Sequence, residues 1–182
     1  GVYTDLTEPQ SFKAMTLNTA TLPATDKKAL DDFSKKIAEL SRVVAATDQY
    51  RGELVNKVRY LKQAIIETPK QSLDLSKALQ DIEKRLTAVN RQLNGDASVA
   101  RREFETTPSI NGRIGYVIGS LWNTTAAPTQ TQLNSYQIAA KQFTPVYNEI
   151  KAIATEVKRL EDILEKNGAP YTPGRMPEWK GL

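Results

Sequence analysis

The sequence of 182 residues contains no cysteine and no histidine. Without cysteine the chain has no disulfide, no thiolate nucleophile and no thiolate metal ligand, and without histidine it has no imidazole ligand and no histidine base. The lack of cysteine fits either redox compartment and therefore indicates no location. Because these absences remove many frequent catalytic and metal-binding arrangements, we expect no metal, no cofactor and no catalytic residue in this chain.

Long apolar runs and a concentrated charge of one sign are also missing. No apolar run approaches the roughly 20 residues that a membrane helix needs, so no membrane insertion is expected. The 25 Lys and Arg residues are interleaved with 21 Asp and Glu residues, and a net charge of +4 without a basic stripe does not favour nucleic acid as a partner. Nothing in the spacing of the carboxylates brings two of them together for glycoside hydrolysis. The isolated chain is expected to be a monomer.

What the sequence does contain is a series of apolar residues at alternating steps of three and four. The first series begins near Asp26, after a possible cap at Thr25, and keeps one phase through two polar positions, Thr47 and Arg51. One continuous helix of about 40 residues explains the shared phase, and the polar positions mark either a polar part of the seam or the end of a neighbouring helix. The apolar positions are Leu30, Phe33, Ile37, Leu40, Val44, Leu54, Val58, Leu61 and Ile65.

A second and a third helix are predicted from their start and stop signals. The letters TPKQ at 68–71 form a capping box with proline at the first helical position, and Asn94–Gly95 ends the second helix. The tight connection requires this helix to run antiparallel to the first. Residues 95–109 are interpreted as a loop with a helical turn near Ala100. A third helix of about 15 residues restarts at Thr107–Pro108, with an apolar face of Ile110, Ile114, Val117, Ile118 and Leu121.

The last helix is again long. Thr129 and Gln132 form a capping box at its start, Pro145 is expected to kink it, and Asn167–Gly168 ends it. Its predicted apolar positions are Leu133, Tyr136, Ala140, Phe143, Tyr147, Ile150, Ala154, Val157, Leu160, Ile163 and Leu164.

These segments predict an all-α protein, an antiparallel up-down helical bundle with coiled-coil-like packing. The chain forms either four helices or three long legs of which the middle one is broken, because helices two and three together match the length of helix one. Residues 1–25 are interpreted as a strand-like strap or linker from an upstream domain, 26–167 as the bundle, and 168–182 as an extended proline-rich tail. Because the chain opens with Gly1, we interpret it as a piece of a longer protein.

Three glycines in the third helix raise the question of a phosphate-binding loop. Gly112, Gly115 and Gly119 follow the spacing G-x-x-G-x-x-x-G, which matches neither the dinucleotide fingerprint nor the Walker motif. On a helix they share one face, where small residues let another backbone approach, and each costs up to about 1 kcal/mol relative to alanine. We therefore expect helix packing at these glycines, with ligand binding as the alternative.

Aromatic residues outside the apolar seams are the candidate docking residues. Trp122 ends the glycine-containing helix, and Tyr171, Arg175 and Trp179 lie in the tail. Such residues dominate protein contacts, so the tail is expected to dock on the bundle, on an upstream domain or on an external ligand. Docking within the same polypeptide is the favoured interpretation.

The segments LWNTTAAPTQTQ and GAPYTPGRMPEW, and the opening LTEPQSFKAMTLNTATLPA, carry a resemblance. The chain resembles the C-terminal helical region of large secreted bacterial proteins built on sortilin-like, Asp-box (BNR) repeat β-propellers, which are often labelled glycosyl-hydrolase-like. The resemblance implies an extracytoplasmic location and a propeller upstream. Any hydrolase activity would belong to that propeller, because this sequence has no Asp-box repeat and offers no catalytic residues to carry over.

Together these features predict a non-catalytic structural or interaction module that packs against an upstream domain. One alternative is a binding module that captures an external protein or glycan through Trp122 and the tail. Another is an accessory part of an upstream hydrolase site, to which the chain contributes carboxylates or Arg175.

Overall fold

A computed structural model describes residues 1, 4, 6–15, 26–69, 73–102, 104–122, 124–176, 179 and 181. Within those ranges all regular structure is helical, which confirms the prediction of an all-α bundle. The helices are α1 (Lys27–Glu67), α2 (Leu73–Asn94), α3 (Ala97–Ala100), α4 (Ile110–Leu121) and α5 (Gln130–Lys166).

The continuous first helix is confirmed, since α1 runs for 41 residues without interruption. Asp26 caps its start, because the Asp26 carboxylate accepts a hydrogen bond from the Ala29 backbone N–H at 2.8 Å. Thr25, the cap that the sequence suggested, lies outside the described residues. The buried side of α1 follows the predicted period through Phe33, Ile37, Val44, Thr47, Leu54, Val58, Leu61, Ala64 and Ile65.

The middle leg of the bundle is broken. Lys62 pairs with Glu83 at 2.9 Å, and Asn94 donates to Asp48 at 3.1 Å, so α2 runs antiparallel to α1 and ends beside its centre. Asn111 donates to Asn94 at 2.7 Å, which places the start of α4 where α2 ends. Residues at the end of α4 then lie beside the first turns of α1. The structure therefore has three legs, with α2 and α4 sharing the middle one.

The two polar positions in the seam of α1 coincide with this break. The buried Thr47 hydroxyl donates to the Val43 carbonyl at 2.8 Å, and Arg51 pairs with Asp48 at 2.7 Å. Asp48 is the same carboxylate that receives the Asn94 amide. Of the two explanations offered for the polar positions, the end of a neighbouring helix is the one that the structure supports.

The third leg, α5, runs parallel to α1. The rings of Phe33 and Tyr136 meet edge to face at 5.7 Å near the start of both helices, and Lys57 pairs with Glu161 at 3.0 Å near their ends. One core joins the three legs. The seam of α5 passes through Ala139, Val146 and Ile153, all of which are buried, whereas Tyr147 is exposed. The prediction that Tyr147 lies in the core is therefore wrong.

The start signals and the proline that the sequence offered for α2, α4 and α5 can be compared with the structure. Thr68 belongs to the end of α1, because its hydroxyl donates to the Ala64 carbonyl at 2.6 Å, and the first described residue of α2 is Leu73. Gln71 of the expected capping box lies outside the described residues. The shorter α4 starts after Ser109, whose hydroxyl accepts the Gly112 N–H at 3.1 Å, so the predicted start at 107–108 is two residues early. The helix α5 is continuous through Pro145, and the expected kink stays a prediction.

Candidate interaction surfaces

No described helix of this chain packs on Gly115 or Gly119, so the predicted role of the three glycines in helix packing stays a prediction. Gly112, Gly115 and Gly119 lie on the exposed side of α4. Within the described part of the chain, a Cβ atom built on Gly115 or Gly119 meets no heavy atom within 4 Å. A Cβ on Gly112 meets the hydroxyl of its own cap, Ser109, at 3.3 Å. The buried side of α4 faces the opposite way, so the glycines present bare helix to the outside.

Beside this bare face lies an apolar groove at the end of the bundle where α1 begins and α4 ends, which we call the open end. The groove has a volume of about 400 Å³. Trp122 forms one wall and is 85% exposed, although its backbone N–H still donates to the Ile118 carbonyl at 3.3 Å. We call it the Trp122 groove, and its other walls are Ser34, Ile37, Ala38, Ile118 and Leu121.

A buried polar corner holds the open end in shape. The Thr129 hydroxyl accepts from the Gln132 backbone N–H at 3.3 Å, and the side-chain Oε1 of Gln132 accepts from the Thr129 backbone N–H at 2.8 Å, which confirms the predicted capping box. The Gln132 side-chain amide also donates to the Ser120 hydroxyl at 2.9 Å. Gln132 therefore fixes α4 against the start of α5, and Trp122 lies between these two elements along the chain.

At the other end of the bundle, the tail end, residues 169–175 fold onto the bundle as a tail clasp. Arg175 is its anchor, with only 9% of its side chain exposed. The guanidinium forms an ion pair with Glu165 and donates to the carbonyls of Ala169 and Pro170 and to the Thr172 hydroxyl. A buried charge is stable only when its hydrogen-bonding groups find partners, and this arginine has several.

The clasp contains a tight turn that contradicts the prediction of a tail extended throughout. The Arg175 N–H donates to the Thr172 carbonyl at 3.2 Å, and Gly174 has a φ of 85°. Proline followed by glycine at the two central positions is typical of a type II turn. A Cβ at Gly174 would lie 3.8 Å from Cε of Lys57, whose Nζ pairs with the buried Glu161. The turn thus brings the tail over the α1–α5 contact.

The structure separates the residues that the sequence grouped as docking candidates. Trp122 lies at the open end, and Tyr171 and Arg175 lie at the tail end, about 40 Å further along α1. Tyr171 is exposed at the surface, and Trp179 is 86% exposed. The tail therefore docks on the bundle through Arg175 and not through its aromatic rings. Sequence reasoning did not predict Glu165 and Thr172 as partners of Arg175. The letters Thr-Pro-Gly-Arg at 172–175, with proline and glycine at the central positions of a type II turn, could have indicated the turn.

Charged groups elsewhere on the bundle are arranged as pairs between and along helices. Arg85 of α2 bridges to Glu149 and Glu156 of α5 at 2.6 Å each. The hydrogen bond that Arg85 donates to Glu149, with a further one to Glu156, raises the pKa of Arg85 above its usual value. Among the described residues, no three acidic side chains lie close enough together to hold a metal ion. None of the helices described is both long and apolar enough to cross a membrane.

Comparison of the chain with protein-family models, curated proteins and solved structures gave no match. The resemblance to propeller-linked helical regions therefore stays a prediction.

Proposed function

We propose that this chain is a non-catalytic helical module that packs through its open end against a domain preceding it in the same polypeptide. The observation that carries the proposal is the exposed Trp122 beside an apolar groove. Tryptophan is among the residues that most often dominate the free energy of a protein interface, and exposed apolar patches mark interaction surfaces. The extracytoplasmic location and the propeller as the preceding domain follow only from the resemblance and belong to this proposal.

The position of the groove supports a partner attached at the N-terminal side. The chain enters the bundle at Asp26, and Ser34 and Ala38 of the groove lie about 12–18 Å further along α1. The described residues 6–15 are all exposed, including the apolar Leu6, Phe12 and Met15. A domain that precedes Asp26 would therefore be connected to the end of the bundle at which the groove lies.

Two observations weigh against the alternatives. A short peptide or a single sugar chain of a few residues does not reach both Trp122 and the tail, since the α1 residues beside Trp122 and those beside the tail lie about 40 Å apart. Arg175 is a poor contributor to an upstream active site, because its guanidinium is buried and engaged by Glu165 and backbone carbonyls.

The test is the association of the purified chain with the domain that precedes it. Trp122→Ala is expected to weaken the association about 30-fold, because it truncates the largest exposed side chain at the groove. Trp179→Ala is the matched control, equally exposed but at the other end of the chain, and it should leave the affinity within about twofold. Equal loss in both variants, or no association at high micromolar concentration, would contradict the proposal.

A further inference from the structure

Asparagine is followed directly by glycine at helix ends and at a helix start in this chain. The pairs are Asn94–Gly95, Asn111–Gly112 and Asn167–Gly168. An asparagine before glycine can lose its side-chain amide spontaneously, because glycine has no Cβ to hinder the approach of its backbone nitrogen. Whether this happens in a folded protein depends on how firmly the asparagine side chain and the glycine nitrogen are held.

The reaction is a cyclisation followed by hydrolysis. The backbone nitrogen of the glycine loses its proton and attacks Cγ of the asparagine, a C–N bond forms, and the side-chain amide nitrogen leaves as ammonia. Water then opens the succinimide at one of its two carbonyls and gives aspartate or isoaspartate. Water is the only co-reactant, and nothing is oxidised or reduced. In isoaspartate the backbone runs through the side chain and is longer by one methylene.

The asparagines at the break in the middle leg are held by hydrogen bonds. The Asn94 amide donates to Asp48 at 3.1 Å, and the Asn94 carbonyl oxygen accepts from Asn111 at 2.7 Å. The Gly95 backbone N–H donates to the Arg91 carbonyl at 2.8 Å. Cyclisation at this site requires both the side chain and the nitrogen to leave their partners, so we expect it to be slow.

Asn167 is held less firmly, because it follows the last residue of α5. Among the described residues, no group forms a hydrogen bond with the Asn167 side chain. The Gly168 backbone N–H donates to the Glu165 carbonyl at 3.0 Å, which is a bond at the helix end. Helix ends open locally at a lower free energy than packed helix interiors, so this nitrogen is released more often than that of Gly95.

Deamidation of Asn167 would act on the tail clasp, which begins directly after Gly168. The Ala169 and Pro170 carbonyls accept from Arg175, and an isoaspartate at position 167 lengthens the backbone between α5 and these carbonyls. The new carboxylate also lies at the C-terminal end of α5, where the helix dipole disfavours a negative charge. Both changes oppose the closed clasp.

We propose that Asn167–Gly168 is a site of spontaneous deamidation, and that its isoaspartate product loosens the tail clasp as the protein ages. The proposal concerns the tail end alone and does not depend on docking through the open end.

The test follows deamidation of the intact chain during incubation in a mildly alkaline buffer. Trypsin places the three asparagines in separate peptides, 92–101, 103–113 and 167–175, in which mass spectrometry detects the exchange of amide for acid. In the folded chain Asn167 should deamidate at least about tenfold faster than Asn94 and Asn111. In urea the three sites should react at similar rates, because the fold no longer distinguishes them. Equal rates in the folded chain, or a faster rate at either of the other sites, would overturn the proposal.

The effect on the clasp is measured by a brief digestion of the native protein. The Arg175 side chain is only 9% exposed, so trypsin should cut slowly after it in the fresh chain and faster in the aged chain. An isoaspartate-specific methyltransferase should label the aged chain only. The control is Asn167→Gln, which keeps an amide but closes the larger ring far less readily, and ageing should not change its cleavage. Deamidation at position 167 without faster cleavage after Arg175 would overturn the effect on the clasp.

Discussion

The two ends of the bundle differ in whether the chain folds back over the ends of its helices. At the tail end the chain returns over the last turns of α1 and α5, and it buries Arg175 among partners from its own backbone and from Glu165. At the open end α4 stops at Leu121, and Trp122 and the glycine face stay exposed to the outside. The chain itself closes one end, and none of the residues that the structure describes covers Trp122 at the other.

This difference indicates where stability and where interaction are concentrated. A buried arginine with several partners contributes to folding, because removing it leaves a carboxylate and backbone carbonyls unpaired. An exposed tryptophan and three helical glycines contribute nothing comparable to the isolated fold, and the glycines weaken α4. The exposed Trp122 beside an apolar groove is best explained by a contact with another surface.

The largest expected effect is on stability at the tail end. Arg175→Ala should lower the free energy of unfolding by about 2–3 kcal/mol, because Glu165 and two carbonyls lose their charged partner. Trp122→Ala should stay within about 0.5 kcal/mol of the parent chain. Urea denaturation measures the free energy of unfolding of both variants. Arg175→Lys keeps the charge but loses the forked donors, so its free energy of unfolding should lie between those of Arg175→Ala and the parent chain. Equal values for the two alanine variants would abolish the distinction between the ends.

A smaller effect of opposite sign is expected from the glycine face. Gly115→Ala and Gly119→Ala should each stabilise the isolated chain by about 0.5–1 kcal/mol, because alanine is the better helix former and the added Cβ meets open space. Gly52→Ala in α1 is the control, since it also has open space. Thermal melting measures all three. If the preceding domain packs on α4, Gly115→Ala and Gly119→Ala will weaken that association, while Gly52→Ala will not. If Gly115→Ala and Gly119→Ala instead destabilise the isolated chain, the glycine side of α4 is covered within the chain.

The smallest effect concerns Asp96, which lies at the break in the middle leg and belongs to neither end. The Ser98 hydroxyl, followed by the Ser98 N–H, donates to this carboxylate and lowers its pKa. A lowered pKa in the folded state means that the ionised form stabilises the fold above the unfolded pKa of about 4, and that this contribution is lost as pH falls through the folded value. Asp96→Asn should therefore melt slightly below the parent chain at neutral pH, with the gap closing in acid. A gap that persists at low pH would exclude the charge as its cause.

Much of the fold could be predicted because its signals are local. The 3–4 spacing gave α1 as one helix, Thr129 and Gln132 gave their capping box, and Gly95 and Gly168 ended their helices with positive φ. The polar Thr47 and Arg51 indicated either a polar part of the seam or the end of a neighbouring helix, and the break lies beside them. The sequence did not distinguish a bundle of three legs from a bundle of four helices, because the arrangement depends on the contact between Asn94 and Asn111, which are far apart along the chain.

The candidate sites were harder to predict, for two different reasons. The partners of Arg175 are set by how the tail folds back, and helical periodicity carries no information about a turn outside the helices. The exposed position of the three glycines of α4, in contrast, could have been predicted from the sequence. At 100° per residue, Gly112, Gly115 and Gly119 lie opposite the apolar Ile114 and Val117, so burying one face leaves the other exposed.

The most direct test of docking through the open end is the solvent accessibility of Trp122 in the longer polypeptide. The chain has two tryptophans, so Trp179→Phe leaves Trp122 as the single reporter, and Trp122→Phe leaves Trp179 as the control. Acrylamide quenching would be compared between the isolated chain and the polypeptide that includes the preceding domain. We predict that Trp122 becomes protected and its emission shifts to shorter wavelength, while Trp179 stays fully quenched. Equal quenching of Trp122 in both proteins would contradict docking through this end.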